Sequence, residues 1–304
     1  MSLLVLSHND CLGHRPPDGH PERPARLEAV LRGLDQLHDL QVEDARPVTR
    51  SELDRAHGPN YLDKIESLDS AGQLIALDAD THFGPGSLRA ARLAAGAACE
   101  GVDRVLSGEA KRVFAAVRPP GHHAESARAM GFCIYSSVAV AALHATAAHG
   151  LERVAVVDFD VHHGNGSEAI LAGNPHSLFL SSHQSPLYPG TGQPDAPHAD
   201  NVRNAVLPPA SGSNEFRDLW LEHLLPEIDR YRPQLLLVSA GFDAHWRDPL
   251  AQLQLKDDDY YWIGERLVEL AKRHADGRLV ASLEGGYDLK ALEASTLAFG
   301  EALN

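Results

Sequence analysis

The chain has 304 residues, 43% of them hydrophobic and 23% charged, with 42 Asp and Glu against 27 Lys and Arg for a formal net charge of −15. That length and balance describe a globular chain able to bury roughly 75% of its unfolded surface. The acidic excess excludes a basic face for gripping phosphates, so no direct nucleic-acid binding is expected; it fits solubility first and a cationic substrate or partner second.

Taken in chain order, the first apolar run, Leu3–Leu6, has no basic flank and reads as a strand, not a secretory leader. A helical pattern follows over Arg23–Leu37, then another over Gly86–Gly101. Short β-branched or apolar runs at Val113–Val117, Val154–Phe159, Ser177–Ser181, Leu235–Ser239 and Leu279–Leu283 read as buried strands. Helical patterns over Ser136–Ala148, Glu215–Tyr231 and Asp258–His274 separate several of them. This alternation predicts an α/β fold with a mostly parallel sheet, and strands apolar throughout need cover on both faces. No linker, repeat or low-complexity tract divides residues 1–304, so one domain is expected. The apolar runs are too short, or too broken by polar residues, to span a membrane. Cys11, Cys99 and Cys133 are odd in number, widely spaced and without a CxxC pair, which points to a reducing, cytoplasmic setting without a disulfide framework.

The chemistry-bearing residues follow four of these strands. Val113–Val117 runs into Arg118-Pro-Pro-Gly-His-His-Ala124. Val154–Val157 runs into Asp158-Phe-Asp-Val-His-His-Gly-Asn-Gly166. Leu235–Val238 runs into Ser239-Ala-Gly-Phe-Asp-Ala-His245, and Leu279–Leu283 into Glu284-Gly-Gly-Tyr-Asp288. Ligands of open α/β sheets bind beyond the carboxyl ends of strands, so four polar, Gly-containing loops there point to one shared site.

Within these loops Asp160 and His162 lie two apart, and in extended backbone such neighbours point the same way. With Asp243 they form a set of two carboxylates and one imidazole that can hold a cation and leave a position open. Read alone, Asp160 could instead cap a helix and His162 pack. His122 and His123, on the stiff Pro119-Pro120-Gly121 turn, could act as general base and acid, although adjacent histidines are usually incidental. Asp158 and Asn165 could each hold the second nitrogen of a catalytic imidazole; otherwise Asp158 is a structural hydrogen-bonding group and Asn165 a left-handed turn residue. Tyr287, after Gly285-Gly286, could donate to a developing oxyanion or simply pack.

Together RPPGHHA, D-x-D-x-HHGNG, AGFDAH and EGGY resemble, in this order, the histone deacetylase family of the arginase-like fold. His20-Pro-Glu-x-Pro24 and Leu187-Tyr-Pro-Gly-Thr-Gly192 match as well, so the resemblance covers nearly the whole chain. It implies a single deacetylase domain with an eight-stranded parallel sheet and helices on both sides. It further implies zinc on Asp160, His162 and Asp243, the tandem pair His122 and His123 oriented by Asp158 and Asn165, and Tyr287 as donor to the carbonyl oxygen. Phe132 and Tyr188 would line a narrow tunnel for an acyl-lysine-like chain; the family usually has Phe where Tyr188 stands. A structural potassium is implied on Asp158, Asp160, Ser181 and the carbonyls of His162 and Ser182. Asn165 and the EGGY loop resemble class II members. Ser136-Ser137, where the family usually has Asn-Asn or Asn-Ser, lies at a helix start where Ser can also cap.

The resemblance implies removal of acetyl or other short acyl groups from lysine side chains of proteins or peptides. Leu250 stands where the polyamine-specific branch carries a Glu, which favours acyl-lysine over an acylated small amine. The stretch from Cys11 to Pro24 is short, whereas bacterial acetylpolyamine amidohydrolases have an elongated loop there. Acetylpolyamine hydrolysis by the same residues is the nearest alternative. An arginase-like ureohydrolase would need a second Asp-rich ligand set, and a silent acyl-lysine reader would not need the full zinc, His and Tyr set.

Overall fold

The computed structural model describes residues 2–69 and 72–304. Among the described residues ten strands occur, in the order β1 (Leu4–Ser7), β2 (Gln41–Asp44), β3 (Ile75–Ala76), β4 (His82–Phe83), β5 (Arg112–Ala115), β6 (Val154–Asp158), β7 (Ser177–Gln184), β8 (Val202–Leu207), β9 (Leu235–Ala240) and β10 (Leu279–Leu283). Eight of them form one sheet, β2-β1-β5-β10-β9-β6-β7-β8, parallel at every pairing; β3 and β4 make a separate antiparallel pair.

The centre of the sheet follows from the apolar runs. β6, β9 and β10 are buried at every residue, as strands covered on both faces must be. The helices Ala25–Leu34, Leu289–Leu303 and Asp257–His274 pack together in one group, and Ser87–Ser107 packs with Ser137–His149 in another. Register levels the strand ends: Asp158 pairs with both Ser181 and Ser239, and Leu283 with Ala240. The polar loops after β5, β6, β9 and β10 therefore leave the same edge of the sheet.

Several boundaries differ from the sequence expectation. The two edge strands, β2 and β8, were not expected: β2 is exposed at all four positions and β8 alternates between buried and half-buried. The helix expected over Arg23–Leu37 spans only Ala25–Leu34, after Pro24 at its N-cap. The helix expected to end at Gly101 continues to Ser107, where Gly108 stops it at φ 84°. The Glu215–Tyr231 pattern divides into Ser213–Leu219, a π-helical turn Trp220–Leu224, and Leu225–Tyr231. Pro226 lies just beyond that turn and has no N–H to donate back into it. Ser136 sits at the N-cap of Ser137–His149 but makes no capping bond; its N–H instead donates to His57 Nε2 at 3.0 Å.

Candidate active site

Beyond β6 and β9, three buried residues converge. One ligand atom each from Asp160, His162 and Asp243 falls within 4.8 Å of the others. The backbone arranges them. Asp160 Oδ1 accepts the His162 N–H at 2.9 Å, while its Oδ2 accepts the Gly285 N–H at 2.8 Å. Asp243 Oδ1 accepts the Val161 N–H at 3.0 Å. Asp160 thus bonds across the site and does not cap a helix. Its imidazole neighbour His162 places Nδ1 at 3.1 Å from Asp160 Oδ1 and 3.2 Å from Asp243 Oδ2.

These residues fit a divalent cation. Asp243 Oδ2 is buried, accepts no well-aligned hydrogen bond, and has the His162 imidazole 3.2 Å away as its charged neighbour, a position that a bound cation would complete. Burial opposes charge on His162, yet the Asp160 and Asp243 carboxylates overcome it and push its pKa up to about 10. Two buried carboxylates around one imidazole favour positive charge at this place, which a bound metal can supply. Gly285 is part of the cradle: a Cβ there would overlap the carboxylate oxygens of both Asp243 and Asp160.

The loop after β5 brings the tandem histidines to the same place. Glu284 Oε2, from the end of β10, accepts the N–H groups of Gly121 at 2.6 Å and His122 at 3.1 Å, pinning the turn. His122 Nδ1 lies 3.0 Å from Asp158 Oδ2, and His123 Nδ1 lies 2.8 Å from Asn165 Oδ1. Asn165 is the first residue of the helix Asn165–Leu171, not a left-handed turn residue. Its Nδ2 donates to Glu125 Oε1 at 2.9 Å, which orients the amide.

The two imidazoles, with ring centroids 4.0 Å apart, are held in opposite states. For His122 burial is outweighed by the Asp160 and Asp158 charges, and its pKa rises well above the usual imidazole value. For His123 burial dominates, the positive His122 and His162 add to it, and the pKa falls well below. His123 is therefore neutral with Nδ1–H donating to Asn165, which leaves Nε2 free to accept a proton.

His123, His162 and Tyr287 line a cavity of about 230 Å³ together with Phe132, Tyr188 and Leu250; Asp80, Gly131 and Leu187 complete the wall. Phe132 holds the left-handed φ of 68°, uncommon for a non-glycine residue, and sets its ring edge-on to Tyr287 at 5.8 Å. Tyr188 packs edge-on to His123 at 5.1 Å. Tyr287 lies over the Arg26 guanidinium, 4.7 Å from its ring centroid, and burial raises its phenol well above the usual value.

The remaining site residues expected from sequence lie close by. Ser181 faces Asp158 across the β6–β7 pairing, and its Oγ is 3.0 Å from His183 Nδ1; Ser182 Oγ accepts the Trp220 indole N–H at 3.1 Å. Three residues to which the sequence assigned no role also lie at the site, although Arg26-Leu27 belongs to the motifs that match the family. Asp80 contributes to the cavity wall. Arg26 is fully buried under Tyr287 and donates from Nε to the Gly286 carbonyl at 2.6 Å. Asp248 accepts the Tyr287 N–H at 2.7 Å; burial and the Asp243 charge push its carboxyl up to about 7. Asp103, His144 and His149 also come within ligating distance of one another. There, however, Arg46 pairs with Asp103 at 3.1 Å and Arg55 with His144 at 2.7 Å, so the protein supplies its own cations.

Comparison with known proteins bears on this geometry. The histone deacetylase domain model matches residues 20–303. A histone deacetylase-like amidohydrolase of Pseudomonas aeruginosa is 41% identical over 277 residues, covering 88% of this chain and 73% of that one. The polyamine deacetylase HDAC10 of Homo sapiens is 36% identical, covering 97% of this chain and 47% of that one. The crystal structure of the HDA15 HD domain superposes with a TM-score of 0.92 at 33% identity, over 100% of this chain and 89% of that one.

Proposed function

The chain belongs to the histone deacetylase family, and on that premise we propose that it is a zinc-dependent amidohydrolase, one catalytic domain throughout, removing acetyl or other short acyl groups from lysine side chains. The observation that carries the reading is the buried cluster of Asp160, His162 and Asp243, whose ligand atoms lie within 4.8 Å of one another beside a cavity that His123, His162 and Tyr287 line.

Asp160, His162 and Asp243 would hold the zinc, which when bound would supply Lewis-acid polarisation of the amide carbonyl and acidify a water. Neutral His123 accepts a proton from the attacking water through Nε2, its Nδ1–H held by Asn165. Tyr287, protonated because burial disfavours its phenolate, donates to the carbonyl oxygen as negative charge develops there. His123, now protonated, returns the proton to the leaving amine nitrogen. His122, ion-paired with Asp158, stays positive beneath it and keeps the pair's charges complementary to the oxyanion. Phe132, Tyr188 and Leu250 exclude water along the lysine methylenes.

A structural potassium on Asp158, Asp160, Ser181 and the carbonyls of His162 and Ser182 belongs to the same reading. It is supported by the pairing of Asp158, the last residue of β6, with Ser181 within β7. So does a cytoplasmic location, supported by three buried free cysteines and, among the described residues, no helix long and apolar enough to cross a membrane.

A second reading, hydrolysis of acylated polyamines, is favoured by one observation, the acidic residue Asp80 in the cavity wall, whose charge would attract a second amine. Leu250 on the same wall offers such an amine nothing. Turnover of acetyl-lysine peptides and of acetylspermidine and acetylputrescine, each with and without a zinc chelator, separates the two. Chelator-sensitive turnover with the higher kcat/KM on peptides supports the lysine reading, and the reverse order supports polyamines. Turnover indifferent to chelation would remove the metal from the account.

A further inference from the structure

The carboxylate of Asp248 reaches both halves of the tunnel wall at once. Its Oδ2 accepts the N–H of Tyr287 at 2.7 Å and, more weakly, that of Asp288 at 3.4 Å; its Oδ1 accepts the N–H of Leu250 at 3.0 Å. The side chain is buried, and its own N–H donates to the His245 carbonyl at 2.8 Å. One carboxylate therefore fastens the loop after β10, which carries Tyr287, to the loop after β9, which carries Asp243 and Leu250.

The rest of the Tyr287 loop leaves the phenol few other determinants. Gly286, just before it, has φ 121° and cannot carry a side chain without meeting Leu292 and Phe242. From the opposite side Arg26 binds the Gly286 carbonyl and supports the ring face. The Gly286–Tyr287 peptide group is thus held at its carbonyl by Arg26 and at its N–H by Asp248. A catalytic donor needs placement finer than about 1 Å, and loss of such placement costs on the order of 10²-fold. Two backbone anchors meeting at one peptide group supply it.

We propose that Asp248 is the positioning residue that sets the Tyr287 phenol and the Leu250 wall relative to each other. The inference rests on the oxyanion-donor reading of Tyr287. The isosteric Asn has one acceptor oxygen where the structure uses two, so Asp248→Asn must release either Tyr287 or Leu250.

The test is a double-mutant cycle joined to amide hydrogen exchange on the zinc-loaded full chain. Asp248→Asn is expected to lower kcat at least about tenfold in the wild-type background, but by less than about twofold when Tyr287 is already Phe, because the donor it positions is gone. Exchange is expected to rise in segments 248–250 and 285–289 and to stay unchanged in β6, β9 and β10. Equal fold losses in the two backgrounds would overturn the proposal. So would exchange that rises throughout the sheet, which would make Asp248 a stabilising residue only. If the wild type turns over no amide at all, the functional reading falls, and the exchange pattern still decides whether Asp248 fastens the two loops.

Discussion

Replacing Tyr287 by Phe removes a single hydroxyl and leaves what holds the ring. The Arg26 guanidinium 4.7 Å from the ring centroid, the edge contact with Phe132 at 5.8 Å and the backbone bond to Asp248 at 2.7 Å all survive. The hydroxyl belongs to a residue lining the cavity, so its loss should alter stability by no more than about 0.5 kcal/mol, a shift of under about 2 °C in Tm. What is lost is one oxyanion donor, which costs on the order of 10²–10³ in kcat, or about 2.7–4 kcal/mol of barrier. Steady-state kinetics on an acetyl-lysine peptide, with zinc content and Tm measured on the same preparation, checks this. Near-normal turnover would refute the role given to Tyr287. A loss accompanied by falling zinc content or Tm would show that the hydroxyl holds the fold, not the transition state.

Gly285→Ala places a methyl group against Asp243 and Asp160, so zinc affinity measured against a competing chelator should fall at least tenfold, in the range of about 10–100-fold seen when groups supporting metal ligands are disturbed; unchanged affinity would argue against this ligand set. His57 is buried and neutral, donating from Nδ1 to the Glu125 carbonyl at 3.1 Å and accepting the Ser136 N–H on Nε2 at 3.0 Å, and burial lowers its pKa from 6.5 to about 4. Because the folded pKa lies below the unfolded one, its stabilisation is complete above pH 6.5 and is lost as pH falls toward 4, to a limit of about 3 kcal/mol. Urea unfolding should therefore show the wild type losing about 1 kcal/mol more than His57→Gln between pH 7 and 5.5; parallel losses would contradict the shift. Leu250→Glu puts a carboxylate on the cavity wall, and the ratio of kcat/KM for acetylspermidine to that for an acetyl-lysine peptide should rise about tenfold or more, since 1.4 kcal/mol of attraction suffices. An unchanged ratio would mean that Leu250 does not set amine selectivity.

The centre of the fold was legible because β6, β9 and β10 are short, mostly apolar runs that alternate with helical patterns, as strands buried on both faces require. The edges were not. β2 is Gln41-Val-Glu-Asp44, exposed throughout, and exists because β1 offers it a row of backbone partners, something no local pattern records. The place of the site was legible for the same reason as the centre, since its candidate ligands and histidines follow directly on buried strands; each motif read alone left its chemistry open, and only the four together, through the family they resemble, suggested roles. Its supports were hidden by distance along the chain. Arg26 reaches Gly286 across 260 residues and Glu284 reaches Gly121 across 163, and Asp248 reaches Tyr287 across 39. Ser136 shows the converse: a residue with capping chemistry at a helix start spends its N–H on His57 and caps nothing.

The central claim is that one zinc at Asp160, His162 and Asp243 is required for amide hydrolysis. Stripping the metal with a chelator and restoring zinc stepwise, while following turnover of an acetyl-lysine peptide, tests it most directly. Activity should vanish on stripping and return in proportion to zinc until one equivalent per chain is bound, with Asp243→Asn neither taking up that equivalent nor recovering. Turnover that survives stripping, or that needs two metal equivalents per chain, would contradict it.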